Sequence, residues 1–360
     1  MSLKILYIRT EDSSGTLSLW RRAHESLGNQ CRTVTLFPSS THSEDDICLD
    51  LPFIPTSSKL VAFRNWLQSR YRDTGIREPR AGYPPTWSPA NRLERVFYTV
   101  REAIWTPLIN GAIEKYQLEG FDIYHIEGGR AFYFDGRFVR KMREQGKHIW
   151  CNYHGTDLRT RGVLPGVDAV SEVNTTSEVD LLYKHPRIEY LFLPVETTAF
   201  TPDYEVHSPI RICHATRDRT ARGTEKIIAA CKSLEEELPV QFTLLENLPH
   251  EEFLRRLGNH DIYIDLIGEG HAGYGYGMAC IEAMCMGMIP VTYLPSSQAQ
   301  LLGNHPFVRI TEHSLADDLR RLINGGGLRG RKRHARKWVE AYHDVSNIIR
   351  HVYRIYRREN

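Results

Sequence analysis

Short apolar runs rich in branched and aromatic residues alternate along the chain with longer amphipathic segments, the rhythm of repeated βα units on parallel sheets. In the first half this pattern predicts strands over Lys4 to Arg9, Arg32 to Leu36, Phe121 to His125, His148 to Tyr153, Ala169 to Val173 and Glu189 to Leu193. Helices are expected at Thr16 to Leu27, with Ser14 or Thr16 as cap and Gly28 as stop, and at Arg130 to Gln145, ended by Gly146. From Pro194 to Pro209 the periodicity fails, and Pro, Thr and acidic residues mark a linker. A second alternating set follows: strand Ile210 to His214, helix Thr224 to Leu234, strand Val240 to Leu244, helix His250 to Leu257, strand Asp261 to Ile264, helix Met278 to Met286 and strand Ile289 to Tyr293. After Gly325-Gly326-Gly327 come two basic helical stretches, about Arg329 to His343 and Val345 to Arg358. Lys59 to Ile109 breaks the rhythm. Its prolines and aromatics (Pro79, Pro84, Pro85, Pro89, Trp66, Tyr71, Tyr83, Trp87) read as a helix, an irregular loop and a second helix, an insertion in the first half.

A length of 360 residues fits two domains at roughly 100 to 200 residues each. The expected architecture is α/β, with two Rossmann-like domains, residues 1–195 and 209–340, facing each other across a cleft. Hydrophobic residues make up 41% and charged residues 25%, which excludes disordered and fibrous classes. The most apolar long stretch, Met278 to Leu294, is interrupted by Glu282, Gly287 and Pro290, too often for a spanning helix. The N-terminus enters a strand-like run with no signal-peptide pattern, so a cytoplasmic location is expected. Seven cysteines are scattered singly, which predicts neither a disulfide framework nor a zinc site.

Two segments carry candidate chemistry. His214 to Thr224, HATRDRTARGT, runs from a strand end into a helix, so backbone amides and the positive helix end converge. Arg217, Arg219 and Arg222 add cationic forks, and Gly223 allows close backbone approach. The residues fit a diphosphate cradle, and equally a solvated basic turn. In the second segment, DIYIDLIGEGHAGYGYGMACIEAMCMGMIP, a glycine-crowded loop leads into a helix that carries Glu282 among Ile281, Ala283, Met284 and Met286. Crowded glycines fit where backbone passes close to a ligand, and a carboxylate near a helix start can accept the hydroxyls of a ribose. A carboxylate on so apolar a helix needs a partner.

These segments together resemble the retaining glycosyltransferases of the GT-B architecture (glycosyl transferases group 1, family 4-like). The resemblance rests on HATRDRTARGT, HDIYID, YGYGMACIEAMCMGMIPV, the linker LPVETTAFTP and, in the first half, WCNYHGTDLR; it covers nearly the whole chain except Lys59 to Ile109. It implies transfer of a sugar from a nucleoside diphosphate-sugar donor to a saccharide or lipid-linked saccharide acceptor, retention of configuration, and neither cofactor nor metal. Arg219 and Arg222 would neutralise the donor diphosphate, Arg222 standing where the family usually has Lys. Glu282 matches the second carboxylate of E-x7-E, the ribose ligand. The first falls at Tyr274, so Tyr274 with the amides of Gly275, Tyr276 and Gly277, or else Glu269 or Asp265, would take over the sugar contact. His154 of HGTD matches a histidine near the donor sugar. Gly15 and Thr16, opening the first helix, would face the same cleft with their amides, and Glu127 is a candidate base or acceptor anchor. The last helix, 341–360, is expected to cross back onto the N-terminal domain. A non-catalytic nucleotide- or glycan-binding relative and a sugar-nucleotide epimerase are the alternatives, and no nucleic-acid-binding motif is present.

The net charge of +2 hides local imbalance. Lys59 to Arg101 has nine basic against three acidic residues, and Leu328 to Asn360 ten against three. Interleaved with aromatics, these stretches would suit peripheral contact with an anionic membrane or a phosphorylated lipid-linked acceptor. Ordinary solvated helix faces are the other reading.

Overall fold

A computed structural model describes residues 2–11, 16–38, 47–52, 76–77, 83–89, 91–267 and 275–357. The chain divides into two compact units, 1–177 with 181–191 and 178–180 with 192–360. In the first unit the elements run β1 (Lys4–Arg9), α1 (Thr16–Ser26), β2 (Gln30–Thr35), β3 (Ile47–Cys48), β4 (Ile76–Arg77), β5 (Thr86–Trp87), α2 (Arg92–Tyr116), β6 (Ile123–Glu127), α3 (Arg137–Glu144), β7 (His148–Tyr153), α4 (Pro165–Asp168), β8 (Val173–Thr176) and β9 (Glu189–Tyr190). Seven strands form one parallel sheet in the order β3-β2-β1-β6-β7-β8-β9; β4 and β5 pair separately. The sheet's central strands are buried on both faces, which is why they read as near-continuous apolar runs. Helix α1 buries Leu17, Trp20, Ala23 and His24, residues three and four apart on one stripe.

In the first half β2 and β6 are shifted by one or two residues, β9 stops at Tyr190 and β3 is unexpected; three further departures have a local cause. The strand expected at 169–173 begins at Val173, because Pro165 starts a short helix and the turn after it occupies the earlier residues. The helix expected from Arg130 begins at Arg137, after Gly136 in the left-handed region at φ 72°. A Cβ at Gly136 would lie 2.5 Å from the Gly166 carbonyl carbon, so backbone packing there excludes a side chain and a continuing helix. The expected second helix of the insertion is the 25-residue α2, capped by Asn91, whose side chain accepts from the Glu94 amide at 2.8 Å. It continues past Ile109 to Tyr116 as part of the core; the insertion's expected first helix lies outside the described residues.

The second unit contains β10 (Ile210–Thr216), α5 (Arg219–Arg222), α6 (Thr224–Glu237), β11 (Val240–Glu246), α7 (His250–Leu257), β12 (Ile262–Ile264), α8 (Met278–Cys285), β13 (Ile289–Thr292), α9 (Ser296–Leu301), β14 (Val308–Arg309), α10 (Leu315–Asn324), α11 (Leu328–Tyr342) and α12 (Val345–Arg357). Its five strands are parallel in the order β11-β10-β12-β13-β14. Both units are therefore Rossmann-like. Each sheet has a point where chain progression reverses, between β1 and β6 in the first and between β10 and β12 in the second. The loops leaving the carboxyl ends of those strands part there, which is where open α/β sheets bind ligands.

Candidate nucleotide-sugar site

In the second unit, the turn after β10 and the loop after β12 flank the reversal point. His214, fully buried near the end of β10, contacts the Ile264 carbonyl through Nδ1 at 2.8 Å and the Thr224 hydroxyl through Nε2 at 2.9 Å. Burial pulls its pKa below the ordinary histidine value. The histidine thus ties β10, β12 and α6 together. Gly223 sits at φ 69°, and a Cβ there would meet Ile267 Cγ1 at 2.7 Å, so the turn that presents Arg222 requires glycine.

Arg222 Nη1 donates to Asp265 Oδ1 at 2.8 Å, and Asp265 Oδ2 accepts from the Gly277 amide at 2.9 Å. Asp265 is 1% exposed and Arg222 30%. The Asp265 charge holds Arg222 more firmly protonated, against the opposing effect of burial. Gly277 caps α8, and a Cβ on it would lie 3.5 Å from Arg222 Nη2, so the guanidinium rests at the amino end of the helix that carries Glu282. Glu282 is buried and its Oε1 meets His250 Nε2, at the start of α7, at 2.7 Å. That hydrogen bond raises the His250 pKa, while burial and the nearby Arg217 charge oppose it. Two groups, Arg222 with Asp265 and Glu282 with His250 and the Arg217 charge, are thus joined by helix α8, whose amino end Gly277 caps and which carries Glu282.

Other candidates are used differently. Arg219 is exposed, and its fork is spanned by Glu246 at 2.7 and 2.8 Å and Glu225 at 2.7 Å. Both edges meet carboxylates, so the expected neutralisation of a diphosphate by Arg219 requires these pairs to exchange. Such exposed pairs are weak and exchangeable. The Gly277 amide is held by Asp265, and that of Gly275 points to the Tyr293 carbonyl at 3.4 Å, so these two are not free for a sugar as expected. Tyr276 turns its ring onto Phe307 and its hydroxyl to His343 at 3.0 Å. Asp265, expected as a possible sugar ligand, is instead the buried brace of Arg222. Tyr274 and Glu269 lie outside the described residues.

In the first unit, His154 Nε2 meets Glu127 Oε2 at 2.8 Å, and Asn152 Nδ2 donates to the same oxygen at 3.1 Å. These residues end the adjacent strands β6 and β7. Thr16, at the start of α1, accepts from Arg9 Nη1 at 3.1 Å, at the end of β1; Gly15 lies outside the described residues. The two clusters occupy the carboxyl edge beside the first sheet's reversal point. Burial pushes the Glu127 carboxyl up, but the His154 hydrogen bond and charge bring it below 4.5. Burial likewise lowers His154, and Glu127 more than reverses this, to above 6.5. The His154 contribution is full below 6.5 and lost as pH rises through its raised pKa. The Glu127 contribution is full above 4.5 and lost as pH falls through its lowered pKa. The pair should therefore stabilise most between these values, by about 2 kcal/mol. Thermal melts of Glu127→Gln against wild type should differ most in that window; a difference independent of pH would refute the ion pair.

Sequence reasoning missed His250, the partner of Glu282. Its signal is position: a histidine directly after Pro249 opens a helix that follows β11. Among the described residues, no group of three or more His, Cys, Asp or Glu is placed to hold a metal, and no helix is long and apolar enough to cross a membrane.

No family model matches the chain, and no curated protein matches it. Solved structures do. The fold is that of the GT-B glycosyltransferases. Similar structures include an alpha-glucosyltransferase in complex with UDP and a 13-mer DNA containing a HMU base, with TM-score 0.58, 11% identity and 99% of each chain covered. TarM has TM-score 0.59 and 11% identity over 99% of each chain. HepE of Anabaena, in complex with UDP-glucose, has TM-score 0.55 and 10% identity over 99% of this chain and 100% of that one.

Proposed function

We propose that this chain is a nucleotide-sugar-dependent glycosyltransferase whose second unit binds the donor. The observation that carries this reading is Arg222, braced by buried Asp265 at the amino end of the helix bearing Glu282. A leaving nucleoside diphosphate develops negative charge, and a fixed guanidinium beside a helix amino end stabilises it as it forms. Glu282 accepts from the ribose hydroxyls, through an oxygen other than the one engaged by His250. In the first unit, His154, held by Glu127, is the residue proposed to contact sugar, as in the family the motifs resemble. Retention of configuration and independence from metal belong to the same proposal, as in the family the motifs resemble.

Two of the similar structures contain UDP or UDP-glucose, so a UDP-sugar is the first donor to test. A saccharide acceptor, free or lipid-linked, fits best. The lipid-linked form is favoured by an exposed apolar stripe on α2, Leu93, Val96, Phe97, Val100, Ile104 and Leu108, beside exposed Arg92 and Arg95. One relative is in complex with DNA, but this chain carries no recognisable nucleic-acid motif.

The test is release of nucleoside diphosphate from a panel of UDP-, GDP-, ADP- and TDP-sugars, with saccharide and lipid-extract acceptors. Release from one base class, with transfer or slow hydrolysis, is expected. Tight donor binding without any turnover would favour the non-catalytic relative.

A further inference from the structure

Two buried arginines in the first unit make no ion pair among the described residues. Arg101 lies on the inward face of α2 and Arg130 three residues after β6; they are 4% and 6% exposed. On both, Nε and Nη2 are enclosed and make no hydrogen bond, and neither residue forms an ion pair among the described residues. These two nitrogens make up one edge of the guanidinium, the edge whose parallel N–H groups match two oxygens of a phosphate.

The Glu102 charge partly offsets the cost of burying both arginines, but neither it nor Glu94 bonds to them. Glu102 accepts from the Phe134 amide at 2.7 Å and faces Arg137 at 3.9 Å, while Glu94 bonds to Tyr98. What surrounds the two cations is aromatic. The Arg101 guanidinium lies 4.3 Å from the Trp105 ring centre, 4.5 Å from Tyr98 and 4.9 Å from Phe134. Arg130 lies 4.3 Å from Phe134. Ring faces offset part of the cost of burying a cation, but they supply no acceptor and do not relieve repulsion between two cations. Burial lowers Arg130 to about 9, with the Arg101 and Arg161 charges adding to it, and lowers Arg101 to about 10. Arg161 has Asp157 at 3.7 Å; the other two have nothing comparable.

We infer that Arg101 and Arg130 form a site for a phosphoryl group, borne by a phosphorylated saccharide or by a lipid headgroup. Two fixed positive charges match a phosphate monoester, which carries about −1.5 to −2 at neutral pH; a carboxylate would leave one charge uncompensated. Both guanidiniums lie over the Phe134 ring, and the oxygens of one phosphoryl group would supply the acceptors that their unpaired edges lack. Assigning the phosphoryl group to the acceptor rests on the glycosyltransferase reading, whereas the site itself does not.

The experiment is a thermal melt of the full chain in rising inorganic phosphate, against chloride at matched ionic strength. Wild type should gain melting temperature saturably, and phosphorus NMR should show the phosphate line broadened. In Arg101→Met/Arg130→Met the gain should vanish, while stability in chloride equals or exceeds wild type, because apolar residues replace unpaired buried charge. Should that variant fail to fold, Arg130→Lys, which keeps a charge but loses the fork, should show a reduced gain. Glucose 6-phosphate and phosphatidylcholine vesicles with or without phosphatidic acid then compete with the phosphate signal. Displacement by the sugar phosphate identifies a soluble source, displacement only by phosphatidic acid vesicles a lipid one. An equal gain in wild type and the Met variant, no gain and no broadening in wild type, or displacement by neither competitor overturns the site. Nucleoside diphosphate binding, measured on the same proteins, should be unchanged by the Met substitutions. A phosphate response without any nucleotide binding would leave this site standing and remove the glycosyltransferase reading.

Discussion

Arg222→Ala should lower turnover of a confirmed nucleotide-sugar donor by about 10²–10³-fold, with a smaller change in donor KM, the scale of losing one preorganised donor to developing charge. The guanidinium is held by Asp265 at 2.8 Å, and Asp265 is held in turn by the Gly277 amide. Its position is therefore set before substrate arrives. Removing it also strands a buried carboxylate, at a cost of about 3–5 kcal/mol in stability. The double variant Arg222→Ala/Asp265→Asn separates the two effects: the melting temperature should recover towards wild type and the rate should not. A rate that recovers with stability would show that Arg222 acts only on the fold.

Glu282→Gln should weaken nucleoside diphosphate binding by about 10–100-fold, from the loss of charge-assisted hydrogen bonds worth about 1.5–3 kcal/mol. Glutamine keeps the shape and can still reach His250, so the helix should stay folded. The same substitution removes the hydrogen bond to a carboxylate that raises the His250 pKa. An NMR titration should place His250 above 6.5 in wild type and nearer that ordinary value in the variant. Unchanged affinity with a shifted His250 would confine Glu282 to a structural role.

Much of this was legible from residue order. Period-two and period-3.6 patterning placed β1, β7, α7 and nearly all of the second unit's first six elements, because buried parallel strands and amphipathic helices leave strong signals. The tail of the second sheet, β14 with α9 and α10, left weaker ones, its strand being two residues long. Arg222 and Glu282 stood out from the turn before one helix and the apolar helix around the other. What could not be read was which partner each charged group takes. Arg219 and Arg222 lie three residues apart in one sequence turn, yet one is spanned by two surface carboxylates and the other is braced by a buried one. Asp265 was one alternative for the sugar contact, reaching in from the loop; its role as a brace depends on Gly277, twelve residues on. Likewise, nothing in the sequence told that Arg101 points inward, since α2 exposes leucine, valine and isoleucine on its other side.

The central claim is that the carboxyl end of the second sheet holds a nucleoside diphosphate. Isothermal calorimetry of the full chain against UDP, GDP, ADP, CMP and TDP tests it most directly. The account predicts one-to-one binding of one nucleoside diphosphate, weakened in Glu282→Gln and in Arg222→Ala; binding to none of them, or binding that both variants leave untouched, would contradict it.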